Sequence, residues 1–375
     1  MDFLPSSIDI QKKISMKERS KKGIFFTPKS LRTILFKNIR SDFRPADILE
    51  PSCGSGEFLV DCRAKYPSAD IIGVELDSRL ADISKKNVPD ATIINEDFLK
   101  WKSEKQFDFI VGNPPFVQTK RVFSQASIGR SNLYIEFLYK CLTNHLKSDG
   151  ILAMILPSTI MNGCFSKPTR NLILTKQILF FDTIRDHNFK DTSAGVSILI
   201  LKNTFSDNVR FNFEGILTDK ADYLRELVAN RSKIKDLDVR LQYGIMTKSL
   251  KDYFSKNEND VTFVLQTDVS QDRVCFDDNK RLYINKNIKT NPHSGRCLFL
   301  SRSNGVVMGN EYILKFSFFE SSGFLFDSAL LAFFGKDIDV LYKSLCDERT
   351  KKYIHSICGS GRLTKDIIFN IPIFD

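Results

Sequence analysis

Several familiar features are missing from this sequence. No apolar run approaches the ~18 residues that a membrane-spanning helix requires. The opening residues, MDFLPSSIDI, place an acid at position 2 and have no basic stretch ahead of a long apolar core, so neither a membrane protein nor a secreted precursor is expected, and the chain reads as intracellular. The eight cysteines (53, 62, 141, 164, 275, 297, 346 and 358) form no C-x-x-C pair, and the four histidines (145, 187, 293 and 355) do not cluster with them. That pattern argues against a zinc centre and a disulfide framework, and reduced thiols are expected. Acidic residues are in deficit: Lys and Arg number 55 against 45 Asp and Glu, a net charge of +10, which suits a polyanionic partner such as nucleic acid. No internal repeat is visible.

What is present is an ordinary globular composition, 42% hydrophobic and 27% charged, in 375 residues, a length for two domains at ~150 residues each. From 46 to 201 short apolar runs alternate with helical patterns. The strand-like runs are 46–50, 70–75, 91–95, 107–112, 150–156, 178–184 and 195–202, and helices are expected at 30–39, 56–65, 78–86, 132–147 and 167–176. Such alternation predicts a mainly parallel sheet covered on both faces. Beyond Lys202 the pattern changes to polar turns, a helix at 219–229, short strand-like runs and a helix at 327–345, which predicts a second, mixed α and β domain rich in strands. The expected division is an N-terminal arm (1–22), a first domain (23–202), a linker region (203–236) and a second domain (237–375).

The most informative stretch is Phe107-Asp-Phe-Ile-Val-Gly-Asn-Pro-Pro-Phe116. Two prolines cannot continue a ladder, because each lacks a backbone donor, so a stiff loop presents Asn113 and Phe116 at the strand end. By itself Asn-Pro-Pro is either a strand-ending turn or a holder for a flat ring bearing an amino group. In the second case the Asn113 amide oxygen and the Pro114 carbonyl accept two N–H bonds and Phe116 stacks on the heterocycle.

The preceding runs narrow the choice. Four successive strand-like runs end in Glu50, Glu75, Asp97 and Asn113, and the carboxyl ends of parallel strands share one ligand-binding edge. The first continues as Glu50-Pro-Ser-Cys-Gly-Ser-Gly-Glu-Phe58, where Gly54 and Gly56 let the backbone approach a ligand. This loop lacks the G-K-[ST] ending of a phosphate loop, and Leu59 stands where a dinucleotide loop has its third glycine. The acid ahead of it disfavours phosphate and suits an ammonium group. Glu75 follows about 20 residues past the loop, placed for ribose hydroxyls, and Asp97 with Phe98 is placed for an adenine ring. Together the loops describe a pocket for adenosine with an amino acid tail, which S-adenosylmethionine fits.

The ordered set FTP (26–28), LEPSCGSGEF (49–58), GVEL (73–76), EDF (96–98) and GNPPF (112–116) resembles the N6-adenine DNA methyltransferases of the gamma arrangement, whose best-known member is the TaqI methyltransferase. The resemblance covers residues 23–202 and implies an α/β fold: a Rossmann-like, mainly parallel methyltransferase domain followed by a mixed α+β recognition domain. It implies that Thr27 holds the methionine part of the cofactor. Glu50, Pro51 and Cys53, with Gly54, line its amino acid end. Glu75 and Leu76 serve the ribose side, and Asp97 with Phe98 the adenine. Asn113, Pro114, Pro115 and Phe116 hold a target base flipped out of duplex DNA, with Pro115 also near the cofactor, and Phe189 matches a second ring that sandwiches the base.

Lys120, Arg121 and Arg130, just past this loop, either grip phosphates or lie in a solvated turn. In the second domain Lys248, Arg296, Arg302, Ser303 and Asn304 are candidate DNA contacts, and the ending Gly359-Ser-Gly-Arg362 is loosely similar to recognition domains of restriction–modification proteins. The same catalytic loop also suits amino groups of RNA bases or a protein glutamine amide. The FTP segment ahead of the glycine loop and the large following domain favour DNA. A companion endonuclease is a candidate functional partner, a monomer is expected over an obligate oligomer, and the cysteine and histidine pattern predicts no metal.

Overall fold

The computed structural model describes residues 2–184, 195–302, 313–359 and 363–374. The chain divides into two compact units, residues 1–222 and 223–375. Among the described residues no helix is long and apolar enough to cross a membrane.

The first unit is built on β1 (Asp47–Glu50), β2 (Asp70–Val74), β3 (Thr92–Ile94) and β4 (Phe107–Gly112), a short hairpin of β5 (Gln118–Thr119) and β6 (Ser131–Asn132), and then β7 (Leu146–Pro157), β8 (Lys176–Ile184) and β9 (Val196–Phe205). The main sheet has the order β3-β2-β1-β4-β7-β9-β8, with β9 alone running against the others. Alternate residues of its central strands feed two cores. Leu49, Ile110, Leu152 and Leu199 face one side, against Phe137 and Leu138 of α6 (Leu133–Lys140) and Ile173 of α7 (Lys167–Leu174). Ile48, Phe109, Ala153 and Ile198 face the other, against Leu31 and Leu35 of α3 (Lys29–Lys37) and Phe58 and Leu59 of α4 (Glu57–Lys65). A strand buried on both faces needs no polar alternation, which is why these runs are almost continuously apolar.

The arm expected at 1–22 consists of two helices, α1 (Pro5–Lys13) and α2 (Met16–Lys22). Pro5 occupies the first turn of α1, Ser15 caps α2 by accepting the Glu18 N–H at 3.2 Å, and Gly23, at φ 70°, ends it. Ile10 and Ile14 pack on Leu80 of α5 (Ser78–Asn87). The helix expected over 132–147 is α-helical only to Lys140. A wider π turn follows over Cys141–His145, and β7 begins at Leu146, because Leu146 pairs with Phe107 ahead of a bulge.

The expected linker also has structure. It contains the hairpin of β10 (Asn212–Phe213) and β11 (Ile216–Leu217) and helix α8 (Ala221–Val228). The second unit holds a sheet of order β12-β18-β16-β17-β14-β15-β13, formed by β12 (Val239–Tyr243), β13 (Phe254–Ser255), β14 (Val261–Val264), β15 (Leu282–Ile284), β16 (His293–Ser301), β17 (Phe316–Phe326) and β18 (Leu330–Gly335). All pairings are antiparallel except β14 with β17. Helices α9 (Ile338–Cys346), α10 (Glu348–Ile357) and α11 (Lys365–Phe369) follow. The helix expected over 327–345 is thus half strand. Leu330–Phe333 are buried in a strand flanked by β12 and β16, and the backbone at Gly335, φ 143°, turns the chain toward α9.

Candidate active site

The chain runs β1, β2, β3 toward one edge of the sheet and β4, β7 toward the other, so its direction of build-up reverses between β1 and β4. At that reversal the carboxyl ends of the strands leave a crevice. A cleft of about 360 Å³ opens there, lined by Thr27, Glu50, Pro51, Cys53, Gly54, Glu75, Leu76, Asp97, Phe98, Asn113 and Pro115. Pro114 is buried and Phe116 sits half-buried between the two cores. Phe189 lies outside the described residues.

The glycine loop makes a tight return from β1 to α4. The Cys53 N–H bonds to the Val74 carbonyl at 2.9 Å and the Gly56 N–H to the Cys53 carbonyl at 2.8 Å. Gly56, at φ 89°, caps α4, and a Cβ there would stand 2.8 Å from the Ser84 hydroxyl. A Cβ on Gly54, at φ 54°, would meet nothing within 4 Å, so this part of the loop is open to a ligand. Cys53 is buried, and burial beside Glu50 and Glu75 keeps its thiol protonated.

Glu50 is 2% exposed, and its Oε2 has no hydrogen-bond partner among the described residues. Burial, reinforced by the Glu75 charge, holds its carboxyl well above the ordinary carboxylate range. A buried acid without a donor is costly, and the group that would satisfy it is a cation. Glu75 is held by two backbone donors, Gly54 N–H at 2.8 Å and Asp77 N–H at 2.7 Å, and burial raises its carboxyl as well. Each carboxylate oxygen retains a lone pair for a further donor. Asp97 closes its own turn through the Leu99 N–H at 3.0 Å. Phe98 borders the cleft, yet its ring belongs to the core, 4.9 Å from the Phe137 ring. The buried Lys140 ammonium lies 4.7 Å over it and donates to the Phe98 and Trp101 carbonyls at 2.5 and 2.7 Å.

In the Asn113 loop the side-chain amide is fixed from its nitrogen end. Nδ2 donates to the Thr27 hydroxyl at 3.0 Å, and the buried Oδ1 has no partner among the described residues. The Ser52 hydroxyl donates to the Asn113 carbonyl at 3.4 Å. The chain after α2 presses against this loop: a Cβ on Gly23 would lie 2.7 Å from Pro115, and the Phe25 and Phe116 rings are 6.2 Å apart at 32°. Tyr134 meets Phe116 edge-on at 6.1 Å.

Sequence reasoning missed the groups that close this site from the N-terminus. The Leu4 N–H donates to Glu57 at 2.9 Å, Ser7 and Ser55 hydroxyls meet at 2.7 Å, and Lys22 pairs with Asp77 at 3.1 Å. The buried Arg32 pairs with Glu57 and Asp61 at 2.9 and 2.6 Å and donates to the Thr27 carbonyl at 2.5 Å. The signals were there: Ser15-x-x-Glu18 with Gly23 brackets a helix, and Arg32 lies between Leu31 and Leu35 on an inward face.

The basic candidates separate by environment. Lys120 and Arg130 are exposed, while Arg121 reaches the Ser127 carbonyl at 3.4 Å. In the second unit Lys248 is exposed. Arg296 forms a two-pronged pair with Asp339 at 2.7 and 2.8 Å and covers the Phe318 ring at 3.9 Å, which gives it an internal partner in place of a free guanidinium. Arg302 stacks on Tyr243 at 5.3 Å. Ser303, Asn304 and the segment 360–362 lie outside the described residues.

The sequence profile of the Eco57I restriction-modification methylase family matches residues 62–187. The type II methyltransferase M.CvrRI of Paramecium bursaria Chlorella virus XZ-6E is 33% identical over 388 residues, spanning 99% of both chains. The modification methylase CviBIII of Paramecium bursaria Chlorella virus NC1A is 34% identical over 376 residues, 98% of this chain and 97% of that one. Among solved structures, the M protein of the type I restriction enzyme EcoKI superposes with a TM-score of 0.43 at 15% identity, over 61% of this chain and 60% of its own. Full-length identity of this order, together with an acceptor-lined cleft at the switch point of the sheet, establishes that the chain belongs to the type II restriction-modification methyltransferases, S-adenosylmethionine-dependent enzymes that modify DNA.

Proposed function

We propose that the enzyme methylates the exocyclic N6 of an adenine turned out of duplex DNA, with Asn113 at the reacting nitrogen. The observation that carries this reading is the Asn113 amide: its nitrogen is tied to Thr27, and its buried oxygen is left without a donor. Such an acceptor suits an amino group. The lone pair of an adenine amino nitrogen is delocalised into the ring, and an acceptor on its N–H draws it toward tetrahedral geometry. The same acceptor stabilises the positive charge that grows on nitrogen as the new bond forms. In this reading the Pro114 carbonyl accepts the second N–H, and Phe116, backed by Phe25 and Tyr134, supplies the stacking surface for the base.

The cleft residues fit the methyl donor. Glu50, with its unpartnered oxygen, takes the ammonium; the open backbone at Gly54 and the lip at Cys53 flank the amino acid tail; Glu75 takes the ribose hydroxyls; and Asp97 takes the adenine amino group. When bound, S-adenosylmethionine supplies an electrophilic methyl on a sulfonium. The protein aligns the two reactants, and the proton released from nitrogen passes to water. The order along the chain, cofactor segment, catalytic loop and then a separate second unit, supports the gamma arrangement, with residues 223–375 as the target-recognition part. In this reading the enzyme acts as a monomer inside the cell, on a sequence that a companion endonuclease also reads.

The test is transfer of labelled methyl groups to duplex DNA, RNA and peptide pools, with the product base identified by mass spectrometry. N6-methyladenine in DNA is the expected product, and label confined to RNA or peptide would refute the reading. Asn113→Ala should slow transfer by about 10²–10³-fold while binding of the cofactor persists.

A further inference from the structure

One exposed patch flanks the cleft. The hairpin of β5 and β6 leaves the catalytic loop at Val117 and returns at Leu133, whose N–H bonds to the Val117 carbonyl at 2.8 Å. Its tip exposes Val122 (51%) and Ile128 (54%), and Phe165, just before α7, is 48% exposed beside it. The two segments are joined. The Ile128 N–H donates to the Phe165 carbonyl at 3.0 Å, the Thr169 hydroxyl donates to the Ala126 carbonyl at 2.7 Å, and a Cβ on Gly129 would touch the Phe165 ring at 3.8 Å. Beneath the tip, the Phe123 N–H donates to the buried Glu136 carboxylate of α6 at 2.9 Å.

The patch is therefore braced from below by buried polar bonds, with apolar groups on its outer side. Its charge is one-sided. Residues 117–131 and 162–170 contain no Asp or Glu, and Lys120, Arg130 and Lys167 are exposed. Apolar side chains on a rigid tip with cations around them match a duplex opened at one step: phosphates lie outside and an unstacked gap inside. The same hairpin borders the cleft through Thr119, Val122 and Leu133, so the patch lies next to where the base would be held.

We propose that Ile128 and Phe165 form a wedge that enters the gap left in the duplex when the target adenine turns out, while Lys120, Arg130 and Lys167 hold the flanking phosphates. This rests on the extruded-base reading above. The wedge lowers the cost of unstacking by replacing the lost base contacts with apolar side chains.

The test uses the full-length enzyme and a duplex carrying 2-aminopurine at the mapped target adenine, whose fluorescence rises when it leaves the stack. The wild type should give the rise, and the Ile128→Ala, Phe165→Ala double variant should give a rise about tenfold smaller, with thermal midpoint and cofactor affinity unchanged. On a duplex whose target adenine faces an abasic site, where extrusion is already easy, the double variant should methylate at the wild-type rate. A wild-type rise that the double variant reproduces in full on intact duplex overturns the wedge alone. Absence of any rise with the wild type overturns the extruded base, and the wedge with it.

Discussion

Glu50 is a carboxyl group kept where folding does not favour its charge. Its folded pKa is raised by burial and by Glu75 from an ordinary 4.5, so the folded chain keeps a proton that the unfolded chain releases above that pH. The stability it contributes is complete below about 4.5 and is lost as pH rises through the folded value. In the cofactor-free protein Glu50→Gln should therefore melt higher than the wild type at pH 8, by about 2–4 °C for each kcal/mol recovered. That gap should close as pH falls toward 4.5, and the variant should lose most of the thermal upshift that cofactor gives the wild type. Scanning calorimetry across pH, with and without cofactor, checks both; a variant that melts lower at every pH would refute the assignment. The identity of the acid was readable from its place ahead of the glycine loop. Its orphaned oxygen was not, because that depends on which donors the rest of the fold fails to supply.

The helix pair α1–α2 shows what a single element adds to the site. It is joined to the glycine loop and to α5 by Leu4, Ser7, Lys22 and the Ile10–Ile14 cluster, and its following residues Gly23 to Thr27 form one wall of the cleft. Ile14 is 2% exposed, so Ile14→Asp should undock the pair. We expect trypsin to cut at Lys12, Lys13 or Lys17 at least about tenfold faster than in the wild type, because cleavage follows the population of the open form. The Michaelis constant for the cofactor should rise while folding of the sheet persists. Saturating cofactor should slow the cut in the wild type. Elements of this kind escape a periodicity reading, since the polar run of α2 gives no apolar face to detect. The short apolar run Leu330–Phe334 fails for the converse reason: four to six buried residues satisfy strand and helix patterns alike, and only the neighbouring β12 and β16 decide between them.

At the scale of the molecule, the cleft and its donors lie wholly within residues 1–222, and the second unit has its own cores around Phe299 and Phe324 and around Phe263 and Ile284. Residues 1–222 expressed alone should bind S-adenosylmethionine within a few-fold of the full chain. If residues 223–375 are the recognition part, as proposed, the fragment should methylate duplex DNA at least about 100-fold more slowly, having lost its phosphate and base contacts. Equilibrium binding of cofactor and methyl transfer on the fragment measure the two separately. Methylation by the fragment at the full-length rate would remove the recognition role from residues 223–375. The parallel sheet and the edge that bears the cleft were legible because buried strands of the first unit are continuous apolar runs with polar ends. The order of the second sheet was not, because antiparallel partners such as β12 and β18 are set by pairing across some ninety residues and leave little trace in local pattern.

The bond from Asn113 to Thr27 joins residues 86 apart in sequence, and in the arrangement seen it turns the amide oxygen away from Thr27. With the nitrogen committed to Thr27, only the oxygen is left to meet a base. In that arrangement a base that carries a keto oxygen at the corresponding position brings acceptor against acceptor, and admitting it requires the amide to reverse and the Thr27 hydroxyl to turn from acceptor to donor. On the proposed reading, guanine and thymine are thus disfavoured by lone-pair repulsion before any chemistry is attempted. Proofreading of the base would rest on a threonine that never touches it.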